Sequence, residues 1–434
     1  MSNFLTSNSG PLKGSIKVPG DKSISHRSIM LGSIAEGVTR VSGFLEGEDS
    51  LATLNAFRDM GVQIERHGSN VVIHGVGMRG LKEPKNPLNL GNSGTSIRLM
   101  SGLLSAQNFD SKLCGDESLS TRPMGRVINP LREMGADIFG DDSRPPLTIK
   151  GGSKLSGIEY TLPVASAQIK SCLLLAGLYG EGITTVIENG ISRDHTERML
   201  RGFGYDVISS NNRISLLGGG SLKGCDIEVP SDISSAAFFM VAGCISKDSS
   251  ITLNSVNINP TRTGVIDILK LMGGNIELLN QRIQAGELIA DIKVSSSNLK
   301  GIQIPENLVP LAIDEFPVLF IAASCADGET VLTGAKELRV KESDRIQVMA
   351  DGLTSLGIEN HVLEDGIRIL GGEFTKQASS IKSHHDHRIS MAFAIASVRS
   401  KFDIEIEGVD NVKTSFPNFE VLANSIGMSI KQVG

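Results

Sequence analysis

The sequence predicts an α/β protein of two similar domains, each built from three repeated units and separated by a cleft. Two observations carry this expectation. A phrase of amphipathic helix, glycine and alternating strand recurs six times along the 434 residues. A second kind of helix, apolar nearly all round, alternates with the first. Units of this length are too long for a common solenoid, so six of them divide naturally into three per globular domain. The expected domains are 1–19 plus 236–434, and 20–235. The chain crosses between them near Pro19–Gly20 and within the polar stretch VPSDISSAA at 229–237.

The amphipathic phrase begins as LNAFRDMGVQIE (54–65), INPLREMGADIF (128–139) and MLRGFGYDVIS (199–209). It returns as ILKLMGGNIELL (268–279), DGLTSLGIENHV (351–362) and LANSIGMSIK (422–431). Its glycines, at 61, 135, 204, 273, 357 and 427, stand where a helix ends in a residue of positive φ. The apolar helices begin near residues 23, 95, 166, 234, 315 and 386. Having no polar face, they belong in the interior. Segments such as GITTVIENG and ETVLTGA, rich in β-branched residues, follow most of them.

Composition narrows the function. Aromatic residues are 4% of the chain, with no tryptophan, which argues against stacking platforms for single-stranded nucleic acid. A net charge of −6 argues against a general polyanion binder, although a pocket can gather cations under an acidic surface. The five cysteines show no CxxC or Cys/His spacing and read as reduced core residues of a cytoplasmic protein. The start MSNFLTSNSG, with no basic residue and no long apolar run, does not read as a signal peptide. The apolar stretch at 316–326 is about half the length that spans a bilayer.

The unusual residues sit where helices begin. The apolar helices open with DKSISHR, NSGTSIR, SAQIK, DEF and DHR; several amphipathic ones open with STRPMGR, SRDHTER and RVKESDR. A helix start is electropositive and ordinarily prefers acids. Here it carries Lys22, Arg27, Arg98, Arg122, Arg193, Lys341, Arg345 and Arg388. Ser, Thr, Asn and Asp at such places are commonly no more than N-caps. Cations so often repeated there imply anions held between them and the free N–H groups.

Other chemistries fit less well. HHDHR (384–388) lacks further metal ligands at suitable spacing. Ser23 and Ser166 lie in neither GxSxG nor SxxK, and GDKS (20–23) lacks the glycine spacing of a P-loop. Lys170, on an apolar helix, reads as a snorkelling stem.

PGDKSISHR (19–27), LGNSGTSIRL (90–99), STRPM (120–124), RVKESDR (339–345) and DHRI (386–389) stand in an order that resembles the 5-enolpyruvylshikimate-3-phosphate synthase family across the whole chain. The resemblance implies two inside-out α/β domains of βαβαββ-type units around an inter-domain active-site cleft. It implies transfer of the enolpyruvyl group of phosphoenolpyruvate to the 5-hydroxyl of shikimate 3-phosphate, with no cofactor and no metal. A monomer acting on small molecules, with no nucleic acid or membrane partner, is expected. By the same resemblance Lys22, Ser23, Arg27, Ser166, Ala167, Gln168, Arg193, Asp314 and Lys341 hold shikimate 3-phosphate. Lys22, Gly94, Arg122, Gln168, Glu342, Arg345 and Arg388 hold phosphoenolpyruvate. Asp314, Glu342 and Lys22 are the expected catalytic groups, with Asp314 the base toward the hydroxyl and Glu342 the proton donor and acceptor at C3. Gly94 is read as a size gate, where a methyl group would crowd the inhibitor glyphosate, the longer molecule, more than it crowds phosphoenolpyruvate.

SAQ at 166–168 and Arg193 resemble the second class of the family, which includes glyphosate-tolerant members. Lys413 stands before TSFP (414–417), one position earlier than the lysine of one branch, and is left out of the candidate set. Two alternatives remain. A UDP-N-acetylglucosamine enolpyruvyl transferase requires a reactive cysteine shortly before Arg122-Pro123, and the nearest is Cys114. A non-catalytic anion-binding repeat scaffold has no use for Asp314 and Glu342 beside its cations.

Overall fold

A computed structural model describes residues 2–284, 286–378 and 380–434. The chain forms two compact units, Gly20–Val229 with Gln284–Gly286, and Met1–Pro19 with Pro230–Ile283 and Glu287–Gly434. The second crossing therefore falls at Val229–Pro230, earlier than the expected 235/236. Asp232 explains the shift: it caps the next helix within the second unit, and its backbone N–H donates to Pro19 O at 2.9 Å.

In the first unit the helices are α1 (Lys22–Ile34), α2 (Glu48–Asp59), α3 (Gly94–Leu104), the single turn α4 (Glu117–Ser120), α5 (Gly125–Glu133), α6 (Ala167–Gly177) and α7 (His195–Gly202). The second unit carries α8 (Ile233–Ile245), α9 (Gly264–Leu271), α10 (Phe316–Ser324), α11 (Arg345–Ser355), α12 (His387–Ala396) and α13 (Phe419–Ser425). The apolar series became α1, α3, α6, α8, α10 and α12, and these form the middle of each unit. Every residue of α8 and of α10 is buried. The amphipathic series became α2, α5, α7, α9, α11 and α13, and all six glycines that follow have φ between +80° and +104°.

Among the described residues the sheets lie outside the buried helices, three to a unit; five are four-stranded and share one pattern, while Glu329–Leu332, Ile367–Leu370 and Asn360–Val362 form a three-stranded one. Leu88–Asn89 pairs in parallel with Ser111–Cys114, which pairs antiparallel with Leu147–Ile149, itself antiparallel to Ile138–Phe139. With α3 and α5 this is a βαβαββ unit, and Glu159–Leu217 repeats it around α6 and α7. The leading strand of each domain's first unit comes from elsewhere in the chain. Asp226–Glu228 joins Glu36–Ser42, and Lys13–Ile16 joins Ser250–Asn257. The N-terminal strand Asn3–Ser7 completes the last sheet beside Ile404–Glu407 and Ser429–Val433. The two chain crossings follow from this exchange of strands.

Packing at the two centres differs. In the second unit the scarce aromatics gather: Phe416 and Phe419 meet edge to face at 5.4 Å, with Phe239 5.9 to 6.0 Å from both. Such pairs add about 0.5–1.5 kcal/mol each beyond their burial. In the first unit α3 and α6 approach so closely that a Cβ on Gly102 would lie 2.0 Å from Cys172 O. Only glycine permits that backbone contact. Among the described residues no helix is long and apolar enough to cross a membrane.

Candidate functional site

In the Gly20–Val229 unit, the starts of α1, α3 and α6 carry most of the candidate residues, with Arg122 and Arg193 just before α5 and α7. Asp21 caps α1 by accepting from Ile24 N at 3.0 Å, which frees Lys22 to reach Asp49 at the start of α2, where the two form an ion pair. Arg27, one turn into α1, is buried: Nε donates to Thr196 Oγ1 at 2.7 Å, and the two Nη atoms donate to Ser23 O at 2.9 Å and Ser171 Oγ at 2.8 Å. Its position is therefore fixed by α1, α6 and α7 together.

Ser93 caps α3, so Gly94 is the first residue of that helix, beside two guanidinium groups. A Cβ on Gly94 would stand 2.9 Å from Arg98 Nη1 and 3.0 Å from Arg122 Nη1. Arg122 lies in the turn between α4 and α5 and donates to Asn92 Oδ1 at 2.6 Å; Asn92 in turn donates to Asp116 Oδ2 at 2.8 Å. Arg98 donates to Gln168 Oε1 at 2.8 Å, and Gln168 donates to Thr95 Oγ1 at 3.0 Å. Ser166 caps α6, placing the Ala167 N–H at the helix start. The structure thus joins Gly94, Arg98, Arg122 and Gln168 in one cluster, with Ser166 and Ala167 next along α6. Arg193 lies in the turn before α7.

Beneath this surface His26 is fully buried. Its Nδ1 lies 2.8 Å from Thr53 Oγ1 and 3.3 Å from Ser96 Oγ, while Nε2 has no hydrogen-bond partner among the described residues. Burial first, then the nearby charges of Lys22 and Arg27, push its pKa well below the ordinary histidine value of 6.5. The ring is held neutral, tying α1, α2 and α3 together through hydroxyls.

In the other unit the candidates gather around Arg345, the first residue of α11, which is 1% exposed. Its Nε donates to Asp386 Oδ2 at 2.8 Å and its Nη2 to Glu342 Oε2 at 2.6 Å, while Nη1 is 3.6 Å from Asp314 Oδ1. Burial works against the charge, but Asp386, Glu342 and Asp314 outweigh it and raise the pKa above the ordinary arginine value. Lys341 Nζ lies 3.5 Å from the same Asp314 oxygen. Asp386 caps α12 by accepting from Arg388 N at 2.9 Å, and it also accepts from Ser343 Oγ at 3.1 Å. The Arg388 side chain is half-buried and pairs with no carboxylate among the described residues.

One residue departs from its sequence reading. Lys170 is not a snorkelling stem: it is 1% exposed, because Glu188 and Glu197 meet its Nζ inside the unit at 3.0 and 2.7 Å. Sequence reasoning also missed Asp49 and Asp386 as partners of the cations. Asp386 stands in the helix-cap position of DHR, a signal that marks a cap but not the arginine a cap also serves. Cys114 ends a strand, its thiol directed to Leu88 O at 3.6 Å, and burial raises its pKa, the opposite of a reactive thiolate.

Three sheets around three buried helices, twice over, with cations at the helix starts, define a fold of the enolpyruvyl transferase class. The enolpyruvyl transferase NikO from Streptomyces tendae matches at a TM-score of 0.80 over 100% of this chain and 99% of its own, with 14% identity, a likeness of fold alone. The chain belongs to the EPSP synthase (3-phosphoshikimate 1-carboxyvinyltransferase) family, whose description matches residues 6–422. It is 67% identical over 433 residues to the 3-phosphoshikimate 1-carboxyvinyltransferase of Ruthia magnifica subsp. Calyptogena magnifica, covering 100% of both chains. That of Hydrogenovibrio crunogenus is 59% identical over 99% of this chain and 98% of its own. An EPSP synthase structure from Acinetobacter baumannii matches at a TM-score of 0.91 and 58% identity, over 100% of both chains.

Proposed function

We propose that the two clusters serve one reaction, in which the cations bind the anionic groups of both substrates and the carboxyl groups move protons. The chain transfers the enolpyruvyl group of phosphoenolpyruvate to the 5-hydroxyl of shikimate 3-phosphate. The hydroxyl oxygen bonds to C2 of phosphoenolpyruvate as its proton leaves and C3 gains one. The tetrahedral intermediate then loses phosphate from C2 and a proton from C3, leaving the enolpyruvyl ether.

Lys22, Ser23, Arg27, Ser166, Ala167, Gln168, Arg193 and Lys341 hold shikimate 3-phosphate in this reading. Gly94, Arg122, Arg345 and Arg388, with Lys22 and Gln168, hold phosphoenolpyruvate. Fork-shaped guanidinium groups suit carboxylate and phosphate oxygens. Asp314 takes the hydroxyl proton, and Glu342 delivers and later removes the C3 proton. One observation carries the assignment. Asp314 and Glu342, far apart in sequence, both reach the buried Arg345, and Lys341 reaches Asp314 as well. Two carboxyl groups set among fixed cations are what an addition–elimination with two proton transfers requires. A passive anion scaffold needs only the cations.

The reading extends to a cytoplasmic monomer, and five cysteines outside any disulfide fit that compartment. Its test is phosphate release from phosphoenolpyruvate by the purified protein. Release that depends on shikimate 3-phosphate is expected, and none in its presence overturns the assignment.

A further inference from the structure

Lys170 is among the largest fully buried side chains of the molecule, and the reaction above makes no use of it. It lies on α6 one turn beyond Ser166 and on the same stretch as Gln168. Its Nζ meets two carboxylates from different elements, Glu188 just after the strand Ile183–Ile187 and Glu197 on α7. A buried cation with two buried acids is a costly arrangement, and an apolar trio of similar volume serves stability as well or better. Stability alone therefore gives little reason for it.

The surroundings suggest another role. The second oxygen of Glu188 accepts a hydrogen bond from Ser192 Oγ, the residue before Arg193. Glu188 is anchored through its backbone as well: its N–H donates to Asn212 O at 2.9 Å, and its carbonyl accepts from Asn212 Nδ2 at 2.9 Å. Glu188 thus spans the turn that carries Arg193, with Lys170 at one carboxylate oxygen and Ser192 at the other. On the neighbouring residues Ser171 and Thr196 bond each other at 2.7 Å and together take Arg27. The elements bearing Arg27, Ser166, Gln168 and Arg193 all meet around Lys170.

We propose that Lys170 is a positioning residue: through Glu188 and Ser192 it sets the turn of Arg193 against the start of α6, and so tunes affinity for shikimate 3-phosphate. The inference rests on the functional reading above. Lys170 touches no substrate and takes no part in proton transfer.

Three variants test it, with wild-type protein alongside. Ser192→Ala cuts the link between Glu188 and the Arg193 turn while leaving the buried cluster in place, and Ser192→Thr restores the hydroxyl. Lys170→Met/Glu197→Gln removes one cation and one acid together, so the net buried charge is kept. The dissociation constant of shikimate 3-phosphate is expected to rise about tenfold in Ser192→Ala and in the double variant, the loss of one hydrogen bond to a charged group. In Ser192→Thr it returns to within about twofold of wild type, and KM for phosphoenolpyruvate shifts less than about twofold throughout. Equal changes for both substrates, or no change in Ser192→Ala, overturn the proposal. Should the double variant fail to fold, Ser192→Ala decides alone. A wild-type protein that releases no phosphate defeats the functional reading instead, so the two failures are distinguishable.

Discussion

Arg345 and Asp386 form an ion pair with Nε and Oδ2 2.8 Å apart, both side chains essentially removed from solvent. Asp386 also caps α12, so one carboxylate fixes the helix that carries Arg388 and the guanidinium that orders Glu342 and Asp314. Asp386→Asn keeps a capping oxygen but removes the charge. Breaking a buried pair from one side costs about 3–5 kcal/mol. We expect urea unfolding to show a loss approaching that size, and kcat to fall at least about tenfold because Arg345, the anchor of Glu342 and Asp314, loses the carboxylate that fixes it. A stable variant of normal kcat would remove Asp386 from the support of the site.

Asp314 is held by ion pairs of 3.5 and 3.6 Å to Lys341 and Arg345, beyond hydrogen-bond length. Asp314→Ala is expected to bind shikimate 3-phosphate with little change, because the cations of that ligand remain. Turnover should fall by about 10²–10⁴, the usual contribution of a positioned general base. Isothermal titration and single-turnover kinetics separate the two. Near-normal kcat would assign the hydroxyl proton to another group.

The fold was legible in the sequence wherever a local rule sufficed. Six glycines demanded positive φ and six apolar helices demanded an interior, and both sets were placed correctly. What escaped was long-range pairing. Nothing local says that Asp226–Glu228 belongs beside Glu36–Ser42, or that Asn3–Ser7 closes the last sheet. Charge partners escaped for the same reason: Lys22 finds Asp49, Arg345 finds Asp386, and Lys170 finds Glu188 and Glu197 only once distant segments fold together. A lysine on an apolar helix has two physical solutions, to snorkel or to be neutralised inside. The sequence does not choose between them.

Gly94 was expected to act on ligand size. The structure adds a cause inside the protein, since a methyl there stands within 3.0 Å of the guanidinium tips of Arg98 and Arg122. Both are flexible ends and can move, at the expense of their hydrogen bonds to Gln168 and Asn92. Gly94→Ala should therefore raise KM for phosphoenolpyruvate by about three- to tenfold and raise the inhibition constant of glyphosate, the longer molecule, by more. Steady-state inhibition at fixed phosphoenolpyruvate reads the ratio. An unchanged inhibition constant would show that position 94 does not gate size.

His26 supplies a prediction about stability against pH. Its pKa in the folded chain lies well below 6.5, so between the folded and unfolded values the unfolded state binds a proton that the native state does not. Stability contributed by the neutral ring is complete above the unfolded pKa and declines as pH falls below it. The slope approaches about 1.4 kcal/mol per pH unit for one proton. Charging the ring would set a third cation beside Lys22 and Arg27, the two that act on it. His26→Asn keeps a polar atom toward Thr53 and Ser96 but has nothing to titrate. Urea unfolding at pH 7.5, 6.5 and 5.5 should show wild type losing stability faster than His26→Asn, with the difference growing toward low pH. Parallel curves would mean that the ring titrates alike in the folded and unfolded protein, and a wild type that gains on His26→Asn toward low pH would mean that the hydroxyls of α2 and α3 hold an imidazolium instead.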